Sequence, residues 1–369
     1  MSDFINALLK EVGDEYTSIA DNAESAGEVS GWIDTGCLML NALLSGGLLR
    51  KGGMPDNRII GLAGESSVGK TYLALSIIKT YLDADPKNVV AYYDTEAAIN
   101  KAQLISRGID PKRVIIAEVD TLQNFKTHCL KTIDAYSKVM GKDKPRLLMV
   151  LDSLGMLSTS KEMADSTEGK DVKDMTRPQI VRAVFRTITL KAARARVPLI
   201  VTNHVYVGVG MYPTNEVSGG GGFKYACSAI IMLGKSKDKD GMEVVGNFIR
   251  AKNYKSRFGK ENAQISMRLS YKTGLDKYYG LLELAERHGI FKKVSTRYEL
   301  PDGRKVFGKS INENPTEYFT EEILDRLEKC AVQDFSYGDH DDGEADDADL
   351  ANIVADDEDT LVVDPELKD

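Results

Sequence analysis

Cysteine is scarce in this sequence. Its four, Cys37, Cys129, Cys227 and Cys330, stand far apart with no C-x-x-C pair. That argues against a zinc site and a disulfide framework, and suits a reducing compartment. No apolar run is long enough to span a membrane. The opening MSDFINALLKEVGDEY mixes charge with apolar residues, unlike a secretory signal. Internal repeats are missing as well. What is there, 369 residues at 42% hydrophobic and 28% charged, describes a globular chain with room for one large core plus appendages. The expectation is a soluble, cytoplasmic protein with no membrane partner.

The net charge of −8 is unevenly spread. Residues 334–369 carry 15 Asp/Glu against the single Lys368, a net of −14, which leaves +6 on everything before them. A mildly basic body with an acidic tail suggests a polyanion-binding body, with a merely solubilising tail as the plainer alternative.

The organising stretch is Arg58–Thr71, RIIGLAGESSVGKT. The apolar run Ile59–Ala63 reads as a buried strand. Gly64, Glu65, Ser66, Ser67, Val68, Gly69, Lys70 and Thr71 then form a full G-x-x-x-x-G-K-T phosphate loop, and from Tyr72 apolar residues recur at helical spacing. Such a loop points backbone N–H groups and a positive helix end at a phosphate chain. Gly64 and Gly69 let the backbone curl. Lys70 is expected to reach the β- and γ-phosphates of ATP, and the Thr71 hydroxyl to sit on Mg²⁺.

The rest alternates. Strands are expected at 88–93, 113–117, 145–151 and 197–201, spaced by helices at 98–107, 121–140 and 178–196, giving a parallel α/β sheet. Polar groups fall just past the strand ends: Asp94-Thr95-Glu96, Asp152-Ser153 and Thr202-Asn203-His204. Open α/β sheets bind ligands at that edge. Asp152 is the candidate second carboxylate on Mg²⁺. Glu96 is a candidate for orienting or deprotonating water, and His204 for sensing the γ-phosphate. Two long polar connections, Ser158–Arg177 and Val205–Phe223, leave the same edge. The glycine run at the end of the second is expected to be mobile.

Residues 2–12 place Phe4, Ile5, Leu8, Leu9 and Val12 on one helical face, either a docking helix or one packed on its own core. A linker follows to residue 31. After residue 226 strands 228–233 and 242–249 precede a cluster of cations and aromatics, Arg250–Phe258. Tyr278–Cys330 reads as a small α/β cap with a helix at 278–288, a hairpin at 296–307 and a helix at 316–330.

Five stretches occur in order: GESSVGKT, YYDTEAAIN, LLMVLDS, LIVTNH with a long loop ending GGGGFKYACS, and IRAKNYKSRFGK. With these the chain resembles the RecA-type strand-exchange recombinases, most of all those of T4-like phages, from about Trp32 to about Leu284. The resemblance implies a RecA-type P-loop ATPase core (32–277) with a mostly parallel central sheet. It also implies an N-terminal oligomerisation segment (1–31), a small C-terminal domain (278–333) and an acidic, disordered tail (334–369). Glu96 matches the catalytic glutamate and Asp152 the magnesium aspartate. His204 stands where bacterial members carry glutamine. Lys255 and Arg257 match basic residues that reach a neighbouring subunit's ATP, and the two long connections match DNA-binding loops. The implied activity is DNA-stimulated ATP hydrolysis in a helical homo-oligomer on single-stranded DNA. That filament would pair with homologous double-stranded DNA, helped by a recombination mediator and a single-strand-binding protein, in the cytoplasm of a bacterial host. The alternatives on the same core are a ring-forming helicase or motor ATPase, and a DNA-coating protein that uses ATP only to assemble.

Overall fold

The structure, a computed structural model, describes residues 2–13, 17, 25–141, 144–170, 174–207 and 215–337. Helix α1 (Ser2–Val12) leads. A short ribbon, β1 (Trp32–Ile33) with β2 (Met54–Pro55), brackets helix α2 (Leu38–Ser45). The central run is β3 (Ile59–Gly64), α3 (Lys70–Ala84), β4 (Val89–Asp94), α4 (Lys101–Ser106), β5 (Val114–Glu118), α5 (Leu122–Ser137) and β6 (Leu147–Asp152). It continues through α6 (Ser160–Thr167), α7 (Arg177–Ala195), β7 (Leu199–Val207), β8 (Asn215–Val217) and α8 (Gly220–Ala226). It ends with β9 (Ala229–Asp240), β10 (Glu243–Ser256), β11 (Gln264–Ser270) and β12 (Gly274–Leu275).

The large sheet runs β12-β11-β10-β9-β3-β7-β6-β4-β5, with β8 paired to β7. From β9 to β5 neighbours are parallel; from β9 outward through β12 they are antiparallel. All six residues of β3 and of β6 are buried, as strands covered on both faces must be. Successive residues serve opposite faces. Ile60, Leu62, Val90, Tyr92, Leu148 and Val150 join the core with α2 and α3. Ile59, Ala63, Ala91, Tyr93, Met149 and Leu151 join the core with α5 and α7. Burial pushes the Cys37 and Cys129 thiols up to about 12, so neither is a nucleophile at neutral pH.

Beyond the sheet come α9 (Leu281–Arg287), the three-stranded sheet β13 (Lys292–Val294), β14 (Arg297–Glu299) and β15 (Lys305–Phe307), then α10 (Gly308–Glu313), α11 (Pro315–Tyr318) and α12 (Glu321–Phe335). Leu281, Phe291, Leu327 and Phe335 share one buried cluster with α2 and α3. α12 packs on α2, and Glu328 accepts the Leu48 and Leu49 N–H groups at 3.0 and 2.8 Å. At the last residue of α12 the Phe335 carbonyl accepts the Lys260 N–H at 2.7 Å.

The structure corrects four expectations. The helix expected over 316–330 is two pieces, because Pro315 starts a short α11 and the Thr320 hydroxyl caps α12 through Ile323 N–H. The connection 158–177 is not simply a loop: Thr159 and Glu162 form a reciprocal capping box that opens α6. His204 lies inside β7, not past its end. The glycine run is not free chain, since α8 begins at Gly220. A Cβ on Gly222 would stand 2.6 Å from the Arg182 Cα, so glycine is what lets α8 close on α7. Residues 208–214 of the second connection, and the acidic segment from 338 on, lie outside the described residues.

Candidate active site

The phosphate loop sits at the carboxyl end of β3. Gly69, at φ 105, is the N-cap of α3, and Ser67 is also left-handed at φ 58. Gly64 has no room for a side chain: a Cβ there would meet the Leu233 carbonyl and Val68 at 2.8 Å each. Glu65, Ser66 and Ser67 are exposed, Val68 is buried, and Thr71 and Tyr72 are half-buried. Lys70 is 7% exposed and its ammonium donates to the Gly64 and Glu65 carbonyls at 2.9 and 2.8 Å. Burial lowers its pKa, against the opposing charges of Asp152 and Glu96. The lysine is thus folded into its own loop, its cation held on two loop carbonyls at the start of α3.

Register brings the remaining groups to this edge. Asp152 lies opposite Asp94 across β6 and β4, and His204 opposite Gly64 across β7 and β3. Asp152 is buried and clasped from both flanking strands. The Tyr92 hydroxyl donates to Oδ2 at 2.6 Å, and the Thr202 hydroxyl donates to Oδ1. Burial first, then the Asp152 charge, drives the Tyr92 phenol far above its usual range, so it stays a donor.

Glu96 is aimed by its neighbours. The buried Asp94 carboxylate accepts the N–H groups of Glu96, Ala98 and Ile99 at 3.0, 3.3 and 3.1 Å, fixing the turn after β4. Ser153 donates its hydroxyl to Glu96 Oε1 at 2.9 Å, while its own N–H donates to the Thr95 hydroxyl at 2.7 Å. His204 Nε2 is 3.7 Å from the same Glu96 oxygen. Both Glu96 and His204 keep about a third of their side chains in solvent, at 39% and 33%. A water there would meet a carboxylate base and an imidazole beside the phosphate loop.

His204 also connects to the second long connection. Its carbonyl accepts the Ser218 N–H at 3.0 Å, and Asn203 Nδ2 donates to the Ser218 carbonyl at 2.6 Å. β8 returns antiparallel against β7, pairing Val205 with Val217. The first connection is fastened at its base. Asp174 accepts from the Thr159 hydroxyl at 2.8 Å and the Thr176 hydroxyl at 2.6 Å, and Arg177 donates to the Leu157 carbonyl.

Lys255 and Arg257 are not at this edge. Lys255 pairs with Ile230, which pairs with Gly61, three residues back along β3 from Gly64. At ~3.3 Å per residue that is about 10 Å down the sheet. The Lys255 ammonium donates to the Lys224 carbonyl at 2.7 Å, and burial, then Arg257, lowers its pKa. Arg257 is exposed, its N–H on the Ser228 carbonyl at 2.9 Å.

Sequence reasoning gave no role to Tyr92, Asp94, Thr95, Ser153 or Thr202. Thr95, Ser153 and Thr202 lie beside candidates at strand ends, which was the available signal. Lys235, which donates to the Ser67 carbonyl, falls between the strands expected at 228–233 and 242–249 and was given no role either. A cavity of about 620 Å³ beside α3, lined in part by Tyr72, was not foreseen either. Among the described residues no three His, Cys, Asp or Glu side chains cluster to hold a metal, and no helix is long and apolar enough to cross a membrane.

The sequence model of the RecA N-terminal domain matches residues 5–276. The recombination and repair protein of Enterobacteria phage T4 is 31% identical over 293 residues, spanning 79% of this chain and 73% of that one. Protein RecA of Cereibacter sphaeroides is 26% identical over 309 residues, with 80% and 84% covered. Protein RecA of Allorhizobium ampelinum is 28% identical over 316 residues, with 82% and 79% covered.

Proposed function

Because this chain belongs to the RecA N-terminal domain family, we propose that it is an ATP-dependent recombinase. It assembles as a helical filament on single-stranded DNA and hydrolyses ATP at subunit joints. One observation carries this reading. Glu96, Ser153 and His204 gather at the Lys70 loop, while Lys255 stands about 10 Å down the sheet, turned from that loop, and Arg257 lies farther still, its N–H on the Ser228 carbonyl. Cations so far from their own phosphate loop are useful to the loop of a neighbour. The exposed apolar residues of α1, Phe4, Leu8 and Val12, suit a segment that docks on another subunit.

The loop fits a triphosphate: its two glycines exclude side chains and Lys70 stands ready to leave two carbonyls for a stronger acceptor. Thr71 and Asp152 fit Mg²⁺ bound mainly by phosphate and water. The clasped Asp152 carboxylate keeps lone pairs free, and no all-protein cage is present among the described residues. When bound, that ion would neutralise charge on the phosphates. Glu96, oriented by Ser153, takes the proton of the attacking water. Lys70 stabilises the charge that grows on the transferred group, as Lys255 and Arg257 of an adjoining copy would from the other side. A change at His204 moves Ser218, and with it the loop that meets DNA. The nucleoside would extend from the phosphate loop past Tyr72 into the cavity that Tyr72 helps to line.

Electron microscopy of the full chain with single-stranded DNA and a slowly hydrolysed ATP analogue tests the proposal. Helical filaments are expected, and none with Lys70→Ala. Discrete hexameric rings, or monomers, would overturn it.

A further inference from the structure

The two hydroxyls on Asp152 are as deeply placed as the carboxylate they meet. Asp152 is 4% exposed, Tyr92 1% and Thr202 0%. The donors come from the strands on either side. Leu151 pairs with Val201, so Thr202 lies beside Asp152 one place on. Tyr92 stands two residues before Asp94, the partner of Asp152 across β4 and β6. That is about 7 Å along the strand, a gap the length of a phenol spans. Tyr93 faces the other way, as alternate residues of a strand do, and its hydroxyl donates to the Thr132 hydroxyl at 3.1 Å. Of the two adjacent tyrosines, Tyr92 is the one that reaches the site. One donor on each oxygen, each anchored on its own strand, stops the carboxylate turning about its own bonds. Burial lowers the Lys70 pKa and the Asp152 charge opposes that, so the fixed carboxylate acts on the ammonium of the phosphate loop.

We infer that Tyr92 and Thr202 are positioning residues for the ion, and that their hydroxyls are what lets Mg²⁺ strengthen nucleotide binding in this chain. The inference rests on the reading of Asp152 and the phosphate loop given above. Mg²⁺ demands near-ideal octahedral geometry and is held through few carboxylates. A carboxylate free to turn must be ordered when the ion arrives. One already held at both oxygens keeps its remaining lone pairs in one direction. Hydrogen bonds to a ligating carboxylate are worth about 10–100-fold in metal affinity.

Calorimetry of ATP binding to the full chain, once with Mg²⁺ and once with EDTA, tests this. The ratio of the two affinities is the metal's contribution. Tyr92→Phe, which removes one oxygen and keeps the ring, should lower that ratio about tenfold or more and leave the affinity in EDTA unchanged. Thr202→Val should do the same, and Thr202→Ser, which restores a hydroxyl, should recover the wild-type ratio. Tyr93→Phe is the matched control on the opposite face of the strand and should keep the wild-type ratio. An unchanged ratio in both Tyr92→Phe and Thr202→Val would overturn the inference. So would equal losses with and without the metal, which mark a merely structural role, or a wild type whose ATP affinity does not rise with Mg²⁺. Failure of the phosphate-loop reading looks different: ATP would bind the wild type in neither buffer, or Lys70→Ala would bind it equally well.

Discussion

Replacing Gly222 by alanine tests how closely α8 is set against α7. The added Cβ would lie 2.6 Å from the Arg182 Cα and 2.8 Å from its N and Cβ. Carbon atoms rest at about 3.5–4.0 Å, so α8 must retreat by about 1 Å. Its neighbour Phe223 is fully buried, 5.4 Å from the Phe185 ring. Such overpacking costs about 1–3 kcal/mol, offset by at most about 1 kcal/mol of helix propensity. Gly221→Ala is the matched control. Its Cβ would meet only the Tyr225 ring, at 3.2 Å, and Tyr225 is 74% exposed and free to swing. That variant should gain up to about 1 kcal/mol. Adjacent substitutions of the same kind should therefore shift the urea midpoint in opposite directions. Gly222→Ala should also weaken DNA-stimulated hydrolysis, because α8 supplies the carbonyl that holds Lys255. Equal midpoints for the two variants would refute the reasoning.

Glu96→Gln should bind ATP and DNA yet turn over about 100-fold or more slowly; unchanged turnover would remove Glu96 from the chemistry. Lys255→Ala should lose DNA-stimulated hydrolysis by about 10³-fold while the isolated subunit still binds nucleotide, as loss of a cation supplied by a neighbour would. An ATPase strictly linear in protein concentration would argue against a shared site. Asp174 is held below its ordinary value of 3.8 by the Thr176 hydroxyl and N–H and by Thr159. Its folded-state pKa is lowered, so its contribution is fully present above 3.8 and lost as pH falls through the lowered value. Exchange protection of 160–170, corrected for intrinsic rates, should fall in acid, and Asp174→Asn should abolish that dependence.

Local motifs made the phosphate loop legible, because Gly64, Gly69 and Lys70 act within one turn of chain. Glu96 and Asp152 were legible from their place at strand ends. The groups that aim them were not. Ser153 reaches Glu96 across 57 positions and Tyr92 reaches Asp152 across 60, and only strand order brings such pairs together. Other misses had signals in the sequence. Thr159 and Glu162 have capping-box spacing, and Thr320 followed by Glu321 and Glu322 marks a helix start. Gly222 was different: its glycine neighbours suggested freedom, whereas its own hydrogen is what the approach of α7 requires.

The contact between α2 and α12 has a consequence for synthesis. Residues Leu38–Leu44 of α2 are all buried, and Glu328, 280 positions after Leu48, is among the groups that secure that corner. A ribosome at about 5–20 residues per second would expose that greasy cylinder for on the order of tens of seconds before its cover emerges. Nascent chains halted short of Phe335 should therefore be prone to stick to one another or to recruit chaperones, even though every residue of the phosphate loop has long since been made.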